Sequence, residues 1–132
     1  MDPAVVDLGA RYPALCGVLA DCQAAAELIC RSMADGGTLY ICGNGGSAAD
    51  AEHIAGELMK GFLSPRPLSG ELRQQLESTF ADQGDYLASR LQGGLRAVAL
   101  TSHISIATAV INDQGGDLVY AQQLLALGRA GD

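Results

Sequence analysis

The apolar positions along the chain follow two rhythms. From about Ala4 to Ala34, residues Leu8, Leu15, Val18, Leu19, Cys22, Ala25, Ala26, Leu28, Ile29 and Met33 recur mostly at steps of three and four. That spacing gathers side chains on one face of a helix. Pro13 interrupts it, because proline lacks an amide and its ring clashes with the preceding turn, so a break or kink is expected there. Asp35-Gly36-Gly37 reads as the helix end, where glycine accepts the left-handed conformation. The rhythm then changes. Thr38-Leu39-Tyr40-Ile41-Cys42 and Ala97-Val98-Ala99-Leu100-Thr101 are apolar runs without polar alternation, which predicts strands buried on both faces, as in a parallel sheet. Between them, Ala48 to about Lys60 reads as a helix opened by Ser47, with Asp50 at capping-box spacing. Ser102 is placed to cap a helix through Ile111, and Asp117 to cap another over Leu118 to Leu127 that ends at Gly128.

The stretch 62–96 differs in composition. Pro65 and Pro67 exclude regular structure at its start, Ser69 to Phe80 reads as a short amphipathic helix through Leu72, Leu76 and Phe80, and Tyr86 to Leu91 as another turn or two. It is too short for a core of its own and so reads as an insertion within the domain. The order is helix, strand, loop, helix, insertion, strand, helix, helix. That predicts an α/β fold with a doubly wound, Rossmann-like or flavodoxin-like parallel sheet, preceded by a long N-terminal helical segment, 1–35. Two strands make a poor sheet alone. The chain stops at Gly128-Arg129-Ala130-Gly131-Asp132, where another strand is expected. The expectation is one partial domain over 1–132, truncated or completed by partner chains.

Composition narrows the functional classes. The 132 residues are 48% hydrophobic and 17% charged, which fits a folded globular chain. The formal net charge of −7 leaves no basic footprint for nucleic acid. The acidic start, Met1-Asp2-Pro3-Ala4-Val5-Val6-Asp7, does not read as a secretory signal. No unbroken apolar run approaches the roughly 18 residues of a membrane span, so no membrane partner is expected. Cys16, Cys22, Cys30 and Cys42 show neither C-x-x-C nor zinc-knuckle spacing and read as reduced thiols in a cytoplasmic protein, three of them on one helix.

The candidate chemistry centres on Cys42-Gly43-Asn44-Gly45-Gly46-Ser47. A strand leading through a glycine loop into a helix puts unpaired amides and the positive end of the helix dipole at the sheet's C-terminal edge. An acidic chain can bind an anion in this way without a field of lysines. Three readings compete: a plain strand-to-helix turn, a dinucleotide loop (Gly43-x-Gly45-x-x-Ala48), and a sugar-phosphate loop with the Ser47 hydroxyl as a further donor. The dinucleotide reading wants an acidic residue about twenty positions on, where this chain has Leu63-Ser64-Pro65-Arg66. His53 and Glu57, four apart, share a helix face, with Asp50 on or near it. They suit an ion pair, two ligands of a metal site, or a base and its orienter. Asn112-Asp113 reads equally as a helix-ending turn with Gly115-Gly116 or as a ligand contact. His103, directly after the second strand, either packs in a first helical turn or meets substrate.

Residues 36–58, from Gly36-Gly37 through Cys42-Gly43-Asn44-Gly45-Gly46-Ser47 to His53 and Glu57, resemble the opening of the sugar isomerase (SIS) domain family. Within it they resemble the sedoheptulose 7-phosphate (phosphoheptose) isomerase branch. The stretch Leu100-Thr101-Ser102-His103-Ile104-Ser105 through Asn112-Asp113 to Gly128-Arg129-Ala130-Gly131-Asp132 resembles the same family in the same order. The resemblance implies aldose–ketose isomerisation of sedoheptulose 7-phosphate through an enediol, with Glu57 as catalytic acid–base beside His53. It implies a sugar phosphate held by Asn44, Gly45, Gly46, Ser47, Asn112 and Asp113. It also implies zinc on His53 and Glu57, with a Gln and a second His from the family's C-terminal half. A homodimer or homotetramer is expected to cover the apolar helix faces. The insertion 62–96 and the stop at Asp132, before the family's second phosphate loop, depart from the pattern, so little or no isomerase activity is expected of these 132 residues alone. The alternative is a non-catalytic sugar-phosphate-binding regulator or scaffold with the same loop; a third reading is an oligomerising fragment.

Overall fold

The computed structural model describes residues 1–132, which divide into two compact units, Met1–Gly37 with Arg129–Asp132, and Thr38–Gly128. In the first, the expected long helix is split. Helix α1 spans Pro3–Arg11, a 3-10 turn covers Pro13–Val18, and α2 spans Leu19–Ala34. Pro13 is the cause: its missing amide ends α1, and it then occupies the first position of the 3-10 segment. Asp2 caps α1, its carboxylate accepting from the Ala4 amide at 2.8 Å. Helix α2 stops as expected. Gly36 takes φ 86, its amide donates to Met33 O, and the Gly37 amide donates to Ser32 O at 2.8 Å. That pair of bonds is a Schellman ending. No residue of α2 is buried.

The helical stretch Pro13–Ala34 is long and apolar enough on average, at hydropathy 1.3, to cross a membrane by length and composition. Asp21, Gln23 and Glu27 interrupt it, which is why no unbroken apolar run is visible in the sequence. The three cysteines assigned to one helix divide between the 3-10 turn (Cys16) and α2 (Cys22, Cys30), and all four thiols are free.

In the second unit, β1 (Leu39–Ile41) and β2 (Ala97–Ala99) pair in parallel, Leu39 opposite Ala97 and Ile41 opposite Ala99. Each strand is shorter than its apolar run; β2 ends at Ala99 because Leu100–Ser102 turns into a 3-10 segment. Helix α3, Gly46–Met59, crosses the sheet and buries Ala51 and Ala55 against Ala97 and Ala99, with Leu39, Ile41 and Leu58 packed around them. A core of alanines lets the helix lie close to the strands. Helices α6 (Ile104–Asp113) and α7 (Val119–Leu127) follow β2 and pack on each other. Ser102 does not cap α6, and Asp117 lies within a 3-10 turn, Gly116–Leu118, rather than capping α7; His103 precedes α6 without a side-chain cap bond.

The stretch 62–96 forms a helical hairpin, α4 (Gly70–Thr79) and α5 (Gly84–Arg90). Ser69 caps α4 through the Leu72 amide. Gly84 is required where the two helices touch, since a Cβ there would lie 2.5 Å from Glu77 Cα. Arg66 closes the base of the hairpin. Its Nε donates to Gly93 O at 2.8 Å and its Nη2 to Leu58 O and Glu57 O at 2.5 and 3.2 Å. Glu57 and Leu58 contribute carbonyls of the last turn of α3, the Leu58 oxygen also accepting from the Leu95 amide at 2.9 Å, and a cation there meets the negative helix end. An isolated Pro67–Gln92 bridge completes the join. Arg66→Met keeps the aliphatic stem and removes these donors. It is expected to lower unfolding stability by about 1–3 kcal/mol in urea titration; a loss below about 0.5 kcal/mol would show that water replaces the guanidinium at no cost.

Candidate functional site

The C-terminal ends of β1 and β2 open onto a cleft of about 460 Å³, the place where ligands bind in parallel α/β sheets. Its floor is Leu100 and Thr101, and one wall is the loop Gly43-Asn44-Gly45. The loop's geometry follows from its glycines. Gly45 takes φ 58, ψ −123, a conformation that a side chain makes costly. Gly43 lies so close to the next element that a Cβ would sit 2.5 Å from Ser47 O. The chain reverses here within a few residues, with bonds from the Ser47 amide to Asn44 O and from the Ala48 amide to Gly45 O. The amides of Gly45 and Gly46 donate to no group within the chain. They are the unpaired donors that a helix N-terminus offers to an anion.

The helix begins one residue earlier than expected. Gly46 is its first residue and Gly45 its cap, with no side-chain capping bond, so the Ser47–Asp50 box is not formed. Glycine wins because the loop needs a positive φ at the cap position, which serine tolerates poorly. Ser47 lies in the first turn with its hydroxyl unengaged.

Two residues of α7 not singled out in the sequence hold the loop and the segment after β2 from the other side. Tyr120, in the first turn of α7, donates its hydroxyl to Gly43 O at 2.5 Å and lies 3.1 Å from Asn44 Oδ1. Gln123, one turn on and 3% exposed, donates through Nε2 to Leu100 O and Val119 O, both at 3.1 Å. Its Oε1 meets His103 Nδ1 at 2.7 Å. With both amide hydrogens spent on carbonyls, that oxygen can only accept, so His103 is the donor and its Nε2 is left free. The available signal was weak: a tyrosine and a glutamine within an apolar helix. Thr101 Oγ1 lies 3.4 Å from Glu52 Oε1.

His53 and Glu57 share a face of α3 as the spacing predicts, and both are exposed. They do not line the cleft. Ala51 and Ala55 take the inward face, and a two-residue offset turns a side chain about 200° around the axis. No ion pair joins His53 to Glu57, and neither side chain is otherwise engaged. No group of three or more His, Cys, Asp or Glu is arranged to hold a metal ion. The two therefore make at most half of a four-ligand zinc site, and the residues of this chain do not fit zinc unaided. Asn112 and Asp113 end α6, exposed, with Asn112 Nδ2 donating to Asp113 Oδ1 at 2.8 Å. They lie outside the cleft lining, which the following Gly116 and Asp117 reach.

The model of the SIS domain matches residues 19–89. The chain belongs to the SIS domain family. It is similar to the phosphoheptose isomerase of Burkholderia pseudomallei (strain 1710b), 39% identical over 115 residues, covering 87% of this chain and 45% of that protein. It is also similar to the phosphoheptose isomerase of Roseiflexus sp. (strain RS-1), 40% identical over 109 residues, covering 83% and 42%. Among solved structures it resembles phosphoheptose isomerase GmhA from Neisseria gonorrhoeae, with TM-score 0.61 and 32% identity, covering 98% of this chain and 50% of that one. The chain thus spans about half the length of the relatives it matches. The SIS resemblance read from the loop and the residues after it is confirmed, and the helix-rich fold with its small parallel sheet is shared with the GmhA structure.

The glycines predict a measurable asymmetry. Gly45→Ala should cost about 1–3 kcal/mol of unfolding stability through backbone strain alone, because a Cβ there meets nothing within 4 Å. Gly46→Ala, equally open and without a positive φ, should cost nothing. Equal urea midpoints for the two variants would contradict the conformation assigned to the loop.

Proposed function

We propose that the chain is the front part of a sugar-phosphate isomerase that interconverts sedoheptulose 7-phosphate and a heptose 7-phosphate. The observation that carries this reading is the glycine loop with unpaired amides beside a cleft, in a chain whose relatives are named phosphoheptose isomerase. In the proposed reaction, Glu57 takes the proton from the carbon next to the carbonyl. The electron pair moves onto the carbonyl oxygen as an enediolate, the proton of the neighbouring hydroxyl crosses to that oxygen, and Glu57 returns its proton to the former carbonyl carbon as the new carbonyl forms. Asn44, Gly45, Gly46 and Ser47 bind the sugar phosphate by amide and side-chain donors, and Asn112-Asp113 contact the sugar. His53 lies one turn from Glu57 on the same face of α3 and is proposed to act beside it in the reaction. His53 and Glu57 are proposed as two ligands of a metal site whose other ligands come from residues outside this chain. The two-stranded sheet is taken as the start of a doubly wound one. A cytoplasmic setting, where four free thiols stay reduced, goes with this reading.

One observation favours a second reading, a sugar-phosphate-binding regulator without catalysis: His53 and Glu57 stand off the cleft that contains the loop. A single substitution separates the two. In the full-length protein, Glu57→Gln should reduce turnover of sedoheptulose 7-phosphate by about 10²–10⁴-fold in a coupled assay while leaving its binding intact, the usual contribution of a general base. Full activity in that variant would sink the isomerase mechanism; binding without turnover in the unmutated protein would establish the regulator.

A homodimer or homotetramer is part of the proposal. Leu28 is 62% exposed on a helix with nothing buried, and Leu125 and Ile104 are 82% and 73% exposed. Apolar surface of this kind marks contact faces. Light scattering should give at least twice the chain mass, and a stable monomer at micromolar concentration would count against it.

A further inference from the structure

We propose that Tyr120 is a positioning residue for the glycine loop, holding Gly43 and Asn44 so that the Asn44 carboxamide and the neighbouring amides present donors to a bound oxyanion. The identity of that oxyanion as a sugar phosphate rests on the function proposed above; the clamp itself does not.

The argument begins with what holds the loop. Within itself it has only the short bonds to Asn44 O and Gly45 O, and its glycines carry the largest backbone freedom of any residue. Gly45 and Gly46 have no atoms near the position of a Cβ, so neighbouring packing does not confine them. The restraint comes from across the cleft. The Tyr120 hydroxyl has one hydrogen, and it serves Gly43 O at 2.5 Å and, more weakly, Asn44 Oδ1 at 3.1 Å. With Oδ1 drawn to Tyr120, the two Nδ2 hydrogens of Asn44 remain without a partner in the chain, on a residue that lines the cleft. They are a hydrogen-bond donor pair next to the free Gly45 and Gly46 amides.

A clamp is only as firm as its base, and α7 is fixed at its middle and at its C-terminal end. The buried Gln123 ties it to Leu100 O directly below the cleft and to His103 at the head of α6. At the far end, the Tyr40 hydroxyl donates to Leu127 O at 2.9 Å. Tyr40 belongs to β1, the strand that feeds the loop. One helix is thus bonded to the strand before the loop, the loop itself, and the segment after β2. A phenylalanine at position 120 would fill the same space and lose only the hydroxyl, so the ring accounts for packing and the oxygen for loop position.

Tyr120→Phe isolates that oxygen. Amide hydrogen exchange on the 132-residue chain, without ligand, should quicken about 3–10-fold at Ser47 and Ala48, whose amides bond to Asn44 O and Gly45 O within the loop, the range one lost hydrogen bond allows. Exchange in the α4–α5 hairpin should stay unchanged. No change at the loop, or an equal rise across α4–α5 marking general loosening, would overturn the clamp. Titration with sedoheptulose 7-phosphate gives the second measurement: the dissociation constant should rise about 3–10-fold in Tyr120→Phe. Asn44→Ala should show a similar rise, and the double variant less than the product of the two. Equal binding by Tyr120→Phe and the unmodified chain would overturn the positioning role. If the unmodified chain binds no sugar phosphate, the proposed function of the cleft fails, and the exchange measurement alone decides the clamp.

Discussion

The contact on which the rest depends is the stack of alanines between α3 and the two strands. Ala51 and Ala55 meet Ala97 and Ala99 with almost no side chain between helix and sheet. Each contributes little apolar area, so the contact gains less from burial than from close approach, where dispersion falls off steeply with distance. A larger residue at any of the four would lift the helix away from the strands. The close approach fixes where α3 starts relative to the end of β1, and the connection must then turn within a few residues. The positive φ of Gly45 and the near-collision of Gly43 with Ser47 are consequences of that short span. The unpaired amides at the cleft follow from packing as much as from motif.

What was legible in the sequence was local. The apolar runs located β1 and β2, Ser69 located the start of α4, and Asp35-Gly36-Gly37 located the end of α2, since propensity, capping and glycine conformation act over a few residues. Local rules failed where two of them competed. Ser47 with Asp50 satisfied the capping pattern, but the turn needed glycine at the cap. Ser102 satisfied it as well, but the chain leaving β2 tightened into a 3-10 turn and carried the helix start to Ile104. Tyr120 and Gln123 were invisible for another reason. Their partners lie 77 and 23 residues away, and no periodicity encodes a bond across that separation. The loop of the candidate site was therefore readable and its support was not.

The two faces of α3 carry different tasks. One packs on the sheet and reaches the cleft through Ala48; the other presents His53 and Glu57 to solvent. From Gly46 the rise along the axis is about 10 Å to His53 and about 16 Å to Glu57, at 1.5 Å per residue, and both point roughly away from the sheet. A proton transfer tolerates a hydrogen-bond distance of about 3 Å between base and carbon acid. A sugar phosphate seated on the loop inside this cleft does not bring its reacting carbons to Glu57 from the same side of the helix. If loop and carboxylate serve one reaction, the sugar must run over the N-terminal end of α3 and along its outer face, and another surface must close over it there. On that condition the exposed apolar side chains and the half-length match to the phosphoheptose isomerases go together: α3 is then a shared wall, with only its inner face built by the residues of this chain.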